Sequence, residues 1–208
     1  GWLTLERVRT PLTAADLRPE VDAALEGLDD EADLQAALRE LRHYHMVRLI
    51  WRDLTDHADY HRTVAELSLL ADILVDAALQ RLYGQACTED GTPVDDRGEP
   101  VRMVVLALGK LGARELNLSS DVDLIFAYEH EGDTRDGRRE MTNHQFFTRL
   151  GQRLIRVLDQ TTSAGIVFRV DMRLRPWGKS GALASGFDAL EGYYETQGRE
   201  WERYALIK

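Results

Sequence analysis

The sequence predicts an α+β fold, a small mixed β-sheet with helices on one face, preceded by an α-helical segment. Three observations predict it. Residues 33–83 repeat apolar side chains at helical spacing, and a turn-rich stretch at 88–100 ends that pattern. Short β-prone runs follow at 101–108, 122–128 and 166–175, with a helical period between the second and third at 142–160.

The first helix is read over 33–53, where Leu34, Leu38, Leu41, Val47, Ile50, Trp51 and Leu54 recur at steps of three and four. A second covers 60–83 on the stripe Val64, Leu67, Ala71, Leu74, Ala78 and Leu82, with Gly84 as its stop. These two helices are expected to pack as an antiparallel pair. The turn formers and acids of 88–100 set a boundary between a helical segment, 1–98, and a second domain, 99–208. There the strands 101–108 and 122–128 flank residues 109–120, and 129–140, with Gly132, Gly137 and mixed charge, reads as a mobile loop. In 142–160 Phe146, Phe147, Leu150, Leu154, Val157 and Leu158 share one side of a helix, 166–175 reads as the third strand, and 187–208 as helix interrupted near Gly198.

A chain of 208 residues with 44% hydrophobic side chains can bury a sizeable core. Its net charge of -10, from 36 acidic and 26 basic residues, argues against a whole-surface role in binding nucleic acid or an anionic membrane. The apolar runs are too short to span a bilayer. Cys87 is the single cysteine, which excludes an internal disulfide and a cysteine zinc cluster and suits a reducing, cytoplasmic setting. The sequence starts at Gly1 without an initiator Met or a signal-peptide pattern and stops at Lys208 inside an apolar helical pattern, which reads as part of a longer protein.

The chemistry concentrates on the strands. Residues two apart in a strand share a face, so Asp121 and Asp123 project together while Val122, Leu124 and Phe126 enter the core. Convergent carboxylates repel unless a cation or hydrogen-bond donors offset the charge, and hard oxygen ligands suit Mg²⁺. On the third strand Arg169, Asp171, Arg173 and Arg175 share one face and Phe168, Val170, Met172 and Leu174 the other. A fully charged face fits either an exposed edge or a polyanionic ligand, with Asp171 joining the acids and arginines pairing with phosphate oxygens. Pro176 and the loop Gly178-Lys179-Ser180-Gly181 follow. At the end of the first strand, Gly109-Lys110 lets backbone approach a phosphate. It is not a phosphate-binding Walker loop, because Val104 stands at its first glycine and Leu111 follows the lysine.

This order of strand, glycine loop, Asp-x-Asp on a strand and a lone Asp on a later strand is similar to the nucleotidyltransferase superfamily that includes DNA polymerase beta. More closely, Gly109-Lys110-Leu111-Gly112 through Asn117-Leu118-Ser119-Ser120-Asp121-Val122-Asp123, with 169–176 and Gly198-Arg199-Glu200-Trp201-Glu202-Arg203-Tyr204, resembles bacterial glutamine synthetase adenylyltransferase/adenylyl-removing enzymes. Ala113 and Lys179 depart from that family's usual residues. The resemblance implies a nucleotidyltransferase fold, and Asn117 to Ser120, Asp171-Met172-Arg173 and Trp201 to Tyr204 look like the N-terminal half, which removes AMP from a glutamine synthetase tyrosine, using phosphate and releasing ADP. The C-terminal half, which adds AMP from ATP, is the first alternative, followed by another nucleotidyltransferase or an inactive regulatory module. It further implies Asp121, Asp123 and Asp171 as catalytic Mg²⁺ ligands, Gly109, Lys110, Ser120, Arg173 and Arg175 as nucleotide contacts, glutamine synthetase as the protein substrate, and PII signalling protein as a partner of the longer parent.

Other residues read as structural. Arg169 is left out of the site as an equally good partner for a surface carboxylate. His57 and His61, four apart on a possible helix, lack a third metal ligand, and of His43 and His45 at least one faces solvent. Trp51, Trp177 and Trp201 are expected to pack in the core or at its edge, although Trp177 adjoins the phosphate loop.

Overall fold

The computed structural model describes residues 4–138 and 140–207; Gly1 and Lys208 lie outside them. Four helices open the chain: α1 (Leu5–Arg9), α2 (Ala14–Leu25), α3 (Glu31–Leu54) and α4 (Tyr60–Asp90). Thr4, Thr13, Asp30 and Asp59 cap them, each side chain accepting a backbone N–H of the first turn that would otherwise lack a partner.

Helix α3 buries Leu34, Leu38 and Leu41 as its spacing predicts, but its stripe then turns away from the core. Val47, Trp51 and Leu54 are exposed, and Arg48, Leu49 and Arg52 occupy the inward side. The cause lies in the segment around α1. Its carbonyls at Arg7, Val8 and Thr10 face α3 and draw the guanidinium groups of Arg48 and Arg52 inward at 2.6–2.9 Å.

Helix α4 runs through Gly84 instead of stopping there. Beyond it Ala86 is buried, and Arg153 donates to Gln85 and Glu89 at 3.0 Å, so tertiary contacts hold the extra turns. The helix ends at Gly91, whose φ of +90° a residue with a Cβ adopts only under strain.

After β1 (Thr92–Pro93) come β2 (Met103–Leu108), the short α5 (Gly109–Gly112), β3 (Val122–Tyr128) and β4 (Thr134–Arg135). β4 pairs antiparallel with β1, so the predicted mobile loop at 129–140 is tied to the 88–100 segment, and Thr134 is buried. Helix α6 (Asn143–Asp159) starts in a capping box in which Thr142 and Gln145 each accept the other's backbone N–H at 3.2 Å. It is followed by β5 (Val170–Asp171), a 3₁₀ turn at Gly178–Ser180, β6 (Ala184–Gly186), α7 (Phe187–Thr196) and α8 (Glu200–Ile207), with the break at Gly198 as predicted.

The sheet is mixed. β2 is antiparallel to β3 in a register that sets Leu108 opposite Asp123, and β5 and β6 both run parallel to β3. Leu124 and Phe126 belong to one buried cluster with Leu74 and Leu82 of α4 and Phe146, Phe147, Leu150 and Leu154 of α6. Each such side chain removed from water contributes roughly 1.5–3 kcal/mol. The other face is not bare, contrary to the one-sided arrangement predicted. Leu108, Ile125 and Ala127 pack on Leu190 of α7, with Tyr194 and Ala205 alongside. The period of two makes this necessary: Ile125 and Ala127 are apolar on the face opposite Leu124 and Phe126, and α7 covers them.

The third strand is also shorter than predicted. Only Val170 and Asp171 pair with β3, and the chain then turns away. Arg175 N–H closes a turn on Met172 O at 3.3 Å, and Pro176 has no N–H to offer a ladder. Among the described residues no helix is long and apolar enough to cross a membrane.

Candidate functional site

The site forms where β2 ends and β3 and β5 begin. Because Val122 and Leu124 are buried on the α4/α6 side, Asp123 must point the other way. The parallel register then sets Asp171 directly beside it, as the Cα partner of Asp123. Gly109 follows β2 with φ of +56°, and a Cβ built there would meet Asp123 Oδ2 at 2.6 Å. The chain can turn across this carboxylate only because residue 109 is glycine.

Asp121 precedes β3 with its side chain 45% exposed, and Arg169 donates to its Oδ1 through Nε at 2.5 Å and also to Ser119 O. Arg169 therefore belongs with the site, where the sequence reading left it out. Its position two residues before Asp171 on an alternating strand was the available signal. Arg173 forks onto Asp171: its backbone N–H reaches Oδ1 at 2.8 Å and its Nε reaches Oδ2 at 2.7 Å.

The two adjacent carboxylates titrate in opposite directions. Burial first, then the charges of Asp171 and Asp121, raise the proton affinity of Asp123, with Arg173 partly offsetting them. Asp171 is held below the usual carboxylate range by its hydrogen bonds and charge pairing with Arg173, with a smaller effect from Lys179. The Arg173 guanidinium in turn is made harder to deprotonate, chiefly by Asp171 and then by the more distant Asp121 and Asp123. Arg173 thus acts on all three acids, on Asp171 most strongly.

The remaining predicted contacts divide. Lys110 is exposed, its carbonyl accepts Glu115 N–H at 2.7 Å, and its side chain makes no hydrogen bond or ion pair among the described residues. Ser120 donates its hydroxyl to Asn117 Oδ1 at 2.7 Å, closing the turn ahead of Asp121. Arg175 is not presented to the acids: its guanidinium donates to Met172 O, Lys179 O and Gly181 O at 2.8, 3.2 and 3.4 Å. The alternation that grouped it with Asp171 ends where β5 ends.

The donor set fits a hard divalent cation in chemistry, since Arg169 pairs with Asp121 and Arg173 with Asp171, leaving Asp123 between them without an ion pair of its own among the described residues. Among the described residues the acids are not gathered into a ready cage of three ligands. Arg169 and Arg173 hold Asp121 and Asp171 instead.

The histidines and tryptophans add little here. His57 lies in the turn after α3 and His61 on α4, both exposed, so they do not share a helix face. His43 is exposed and His45 fully buried, where burial lowers its pKa to about 4. Trp51, Trp177 and Trp201 are 53%, 61% and 51% exposed, so of the expected core or edge packing none is in the core, and Trp177 meets Tyr193 edge-on.

Comparison with known proteins gives the family of the chain. It belongs to the glutamate-ammonia ligase adenylyltransferase family, whose model matches residues 2–208. It is 54% identical over 198 residues to the bifunctional glutamine synthetase adenylyltransferase/adenylyl-removing enzyme of Thioalkalivibrio sulfidiphilus, covering 95% of this chain and 20% of that protein. The proteins of the same name from Pseudomonas aeruginosa and Shewanella loihica are 52% and 51% identical, covering 97% and 91% of this chain and 21% and 20% of their own. The chain therefore spans about a fifth of the length of these relatives.

Proposed function

We propose that this chain is a nucleotidyltransferase centre that removes AMP from a glutamine synthetase tyrosine by phosphorolysis. A phosphate oxygen attacks the α-phosphorus, the bond from phosphorus to the tyrosine oxygen breaks, ADP leaves, and the tyrosine oxygen takes a proton. The observation that carries the reading is the in-register pair Asp123 and Asp171, with Asp121 adjacent, beneath a glycine turn. In support of the removing half stand the motifs Asn117 to Ser120, Asp171 to Arg173 and Trp201 to Tyr204, on their resemblance to that half.

Asp121, Asp123 and Asp171 would hold Mg²⁺, which when bound offsets charge on the phosphorus and the leaving oxygen. Lys110, Arg169, Arg173 and Lys179 supply positive charge around the acids for phosphate oxygens, and Gly109 keeps side-chain bulk off Asp123. Arg175 serves indirectly, by shaping the loop on which Lys179 sits. Phosphate is an adequate nucleophile, so the demanding step is departure of a tyrosine oxygen whose conjugate acid has a pKa of about 10.

The relatives' name covers both removal and addition, which gives the second reading a footing. Full-length protein with adenylylated glutamine synthetase, Mg²⁺ and phosphate should release ADP, and Asp123→Asn should abolish that release. Pyrophosphate formed from ATP and unmodified synthetase, dependent on Asp123, would assign the chain to AMP addition. Silence in both assays would refute a nucleotidyl-transfer role.

A further inference from the structure

The loop between β5 and β6 leaves the sheet beside Asp171 and rejoins it at Ala184. Besides the three carbonyls held by Arg175, Gly178 N–H donates to Arg175 O at 2.8 Å and Gly181 N–H to Gly178 O at 3.3 Å. The loop is thus a fixed body. At its tip Trp177 adopts φ of +60° and ψ of 11°, a left-handed conformation that costs a bulky residue and normally falls to Gly or Asn.

Burial does not account for a tryptophan there, because the residue is 61% exposed. Its one ring contact among the described residues is edge-on, with Tyr193, at 5.0 Å between centroids and 66° between planes. Tyr193 is itself fixed: its hydroxyl lies 3.1 Å from both carboxylate oxygens of the buried Glu202, whose Oε2 also accepts Arg199 N–H at 2.7 Å. The indole is therefore supported on one side and open to solvent on another. The next residue, Gly178, comes back onto Arg173, whose carbonyl lies 3.6 Å from a Cβ built there, and Arg173 forks onto Asp171, so this loop adjoins the acids.

We infer that Trp177 is a base-stacking residue, its open indole surface taking the purine ring of the nucleotide whose phosphorus sits at the acids. The inference rests on the nucleotide reading above and adds to it the element that recognises the base. Stacking on an aromatic ring needs only a rigid, exposed π-face, which the strained loop and the Tyr193 support together supply.

The test uses the full-length protein, with ADP as product inhibitor of phosphorolysis and phosphate as varied substrate. Trp177→Gly removes the indole while suiting the positive φ, and Trp177→Phe keeps a ring. The glycine variant should weaken inhibition by ADP roughly 5- to 150-fold while the KM for phosphate stays within about twofold, and phenylalanine should restore most of the loss. An unchanged ADP inhibition constant in Trp177→Gly, or equal loss in both variants, overturns the stacking role. If wild-type protein consumes ATP in an Asp123-dependent way but forms no ADP from adenylylated synthetase, phosphorolysis alone falls, and the same variants decide stacking through the KM for ATP. Failure of both wild-type reactions overturns both inferences.

Discussion

Two ion pairs, one among the helices and one at the sheet, put the same chemistry to different uses. In the helical end Arg52 and Glu66 are 0% and 6% exposed and 3.2 Å apart. Most of the polar atoms are engaged: Arg52 also donates to Val8 O and Thr10 O, and Glu66 Oε2 accepts Leu12 N–H at 3.1 Å, while the buried Arg52 Nε has no partner among the described residues. At the sheet end Arg173 is 70% exposed and Asp171 12%, Asp121 takes the exposed Arg169, and Asp123 has no ion pair of its own among the described residues. Closed, balanced charge fixes α1 against α3 and α4. Open, unbalanced charge leaves a demand that a ligand can meet.

The largest expected effect tests the open end. Asp123→Asn should lower AMP transfer on the order of 10³-fold or more, as loss of several kcal/mol of transition-state stabilisation requires, with the fold intact. Its pH signature follows from sign. The folded state binds a proton at Asp123 more tightly than the unfolded chain, so this group's stabilisation is present at low pH and is lost as pH rises from about 4 through the raised folded value. Melting curves over about pH 4 to 7 should show that loss in wild type and not in the asparagine variant. Asp171, lowered instead, acts in the opposite sense and only below about pH 4.

Arg52→Met probes the closed end. It leaves the buried Glu66 carboxylate without its guanidinium and removes the donor to Val8 O and His57 O, Thr10 O keeping Arg48, and denaturant unfolding should report a loss of about 3–5 kcal/mol with the catalytic constants of the remaining folded protein unchanged. A loss below about 1 kcal/mol would mean that the pair is no better compensated than a surface one. Gly109→Ala joins both kinds of effect. Its methyl group would press on Asp123 Oδ2 at a left-handed backbone position, so turnover should fall by about 10²-fold and stability by about 1–2 kcal/mol. Equal activity of the two proteins would show that this turn does not set the position of Asp123. The smallest change should be a gain: Gly84→Ala lies in helix α4 with open space around its Cβ, and should raise stability by about 0.5–1 kcal/mol in thermal melts.

The strands at 103–108 and 122–128 and helix α6 were legible because each needs only local information, a period of two or of 3.6. Helix α1, with five residues, is too short to display a period, and α2 has Pro19 within it. The run of α4 past Gly84 could not be read locally, since part of what holds it is Arg153 of α6, more than sixty positions away. For the same reason Arg175 was misplaced by an alternation that the sheet abandons after Asp171.

By itself the sequence determined that Asp121 and Asp123 lead one strand face, that a glycine closes the preceding strand, and that an acid flanked by arginines follows later, all consequences of chain geometry over a few residues. Only the tertiary structure decided that Asp171 stands beside Asp123, that Arg169 rather than Arg175 joins the acids, and that adjacent carboxylates differ in proton affinity. Those outcomes depend on burial and on distances between groups as far as 48 positions apart, as for Arg169 and Asp121, and no local pattern encodes them.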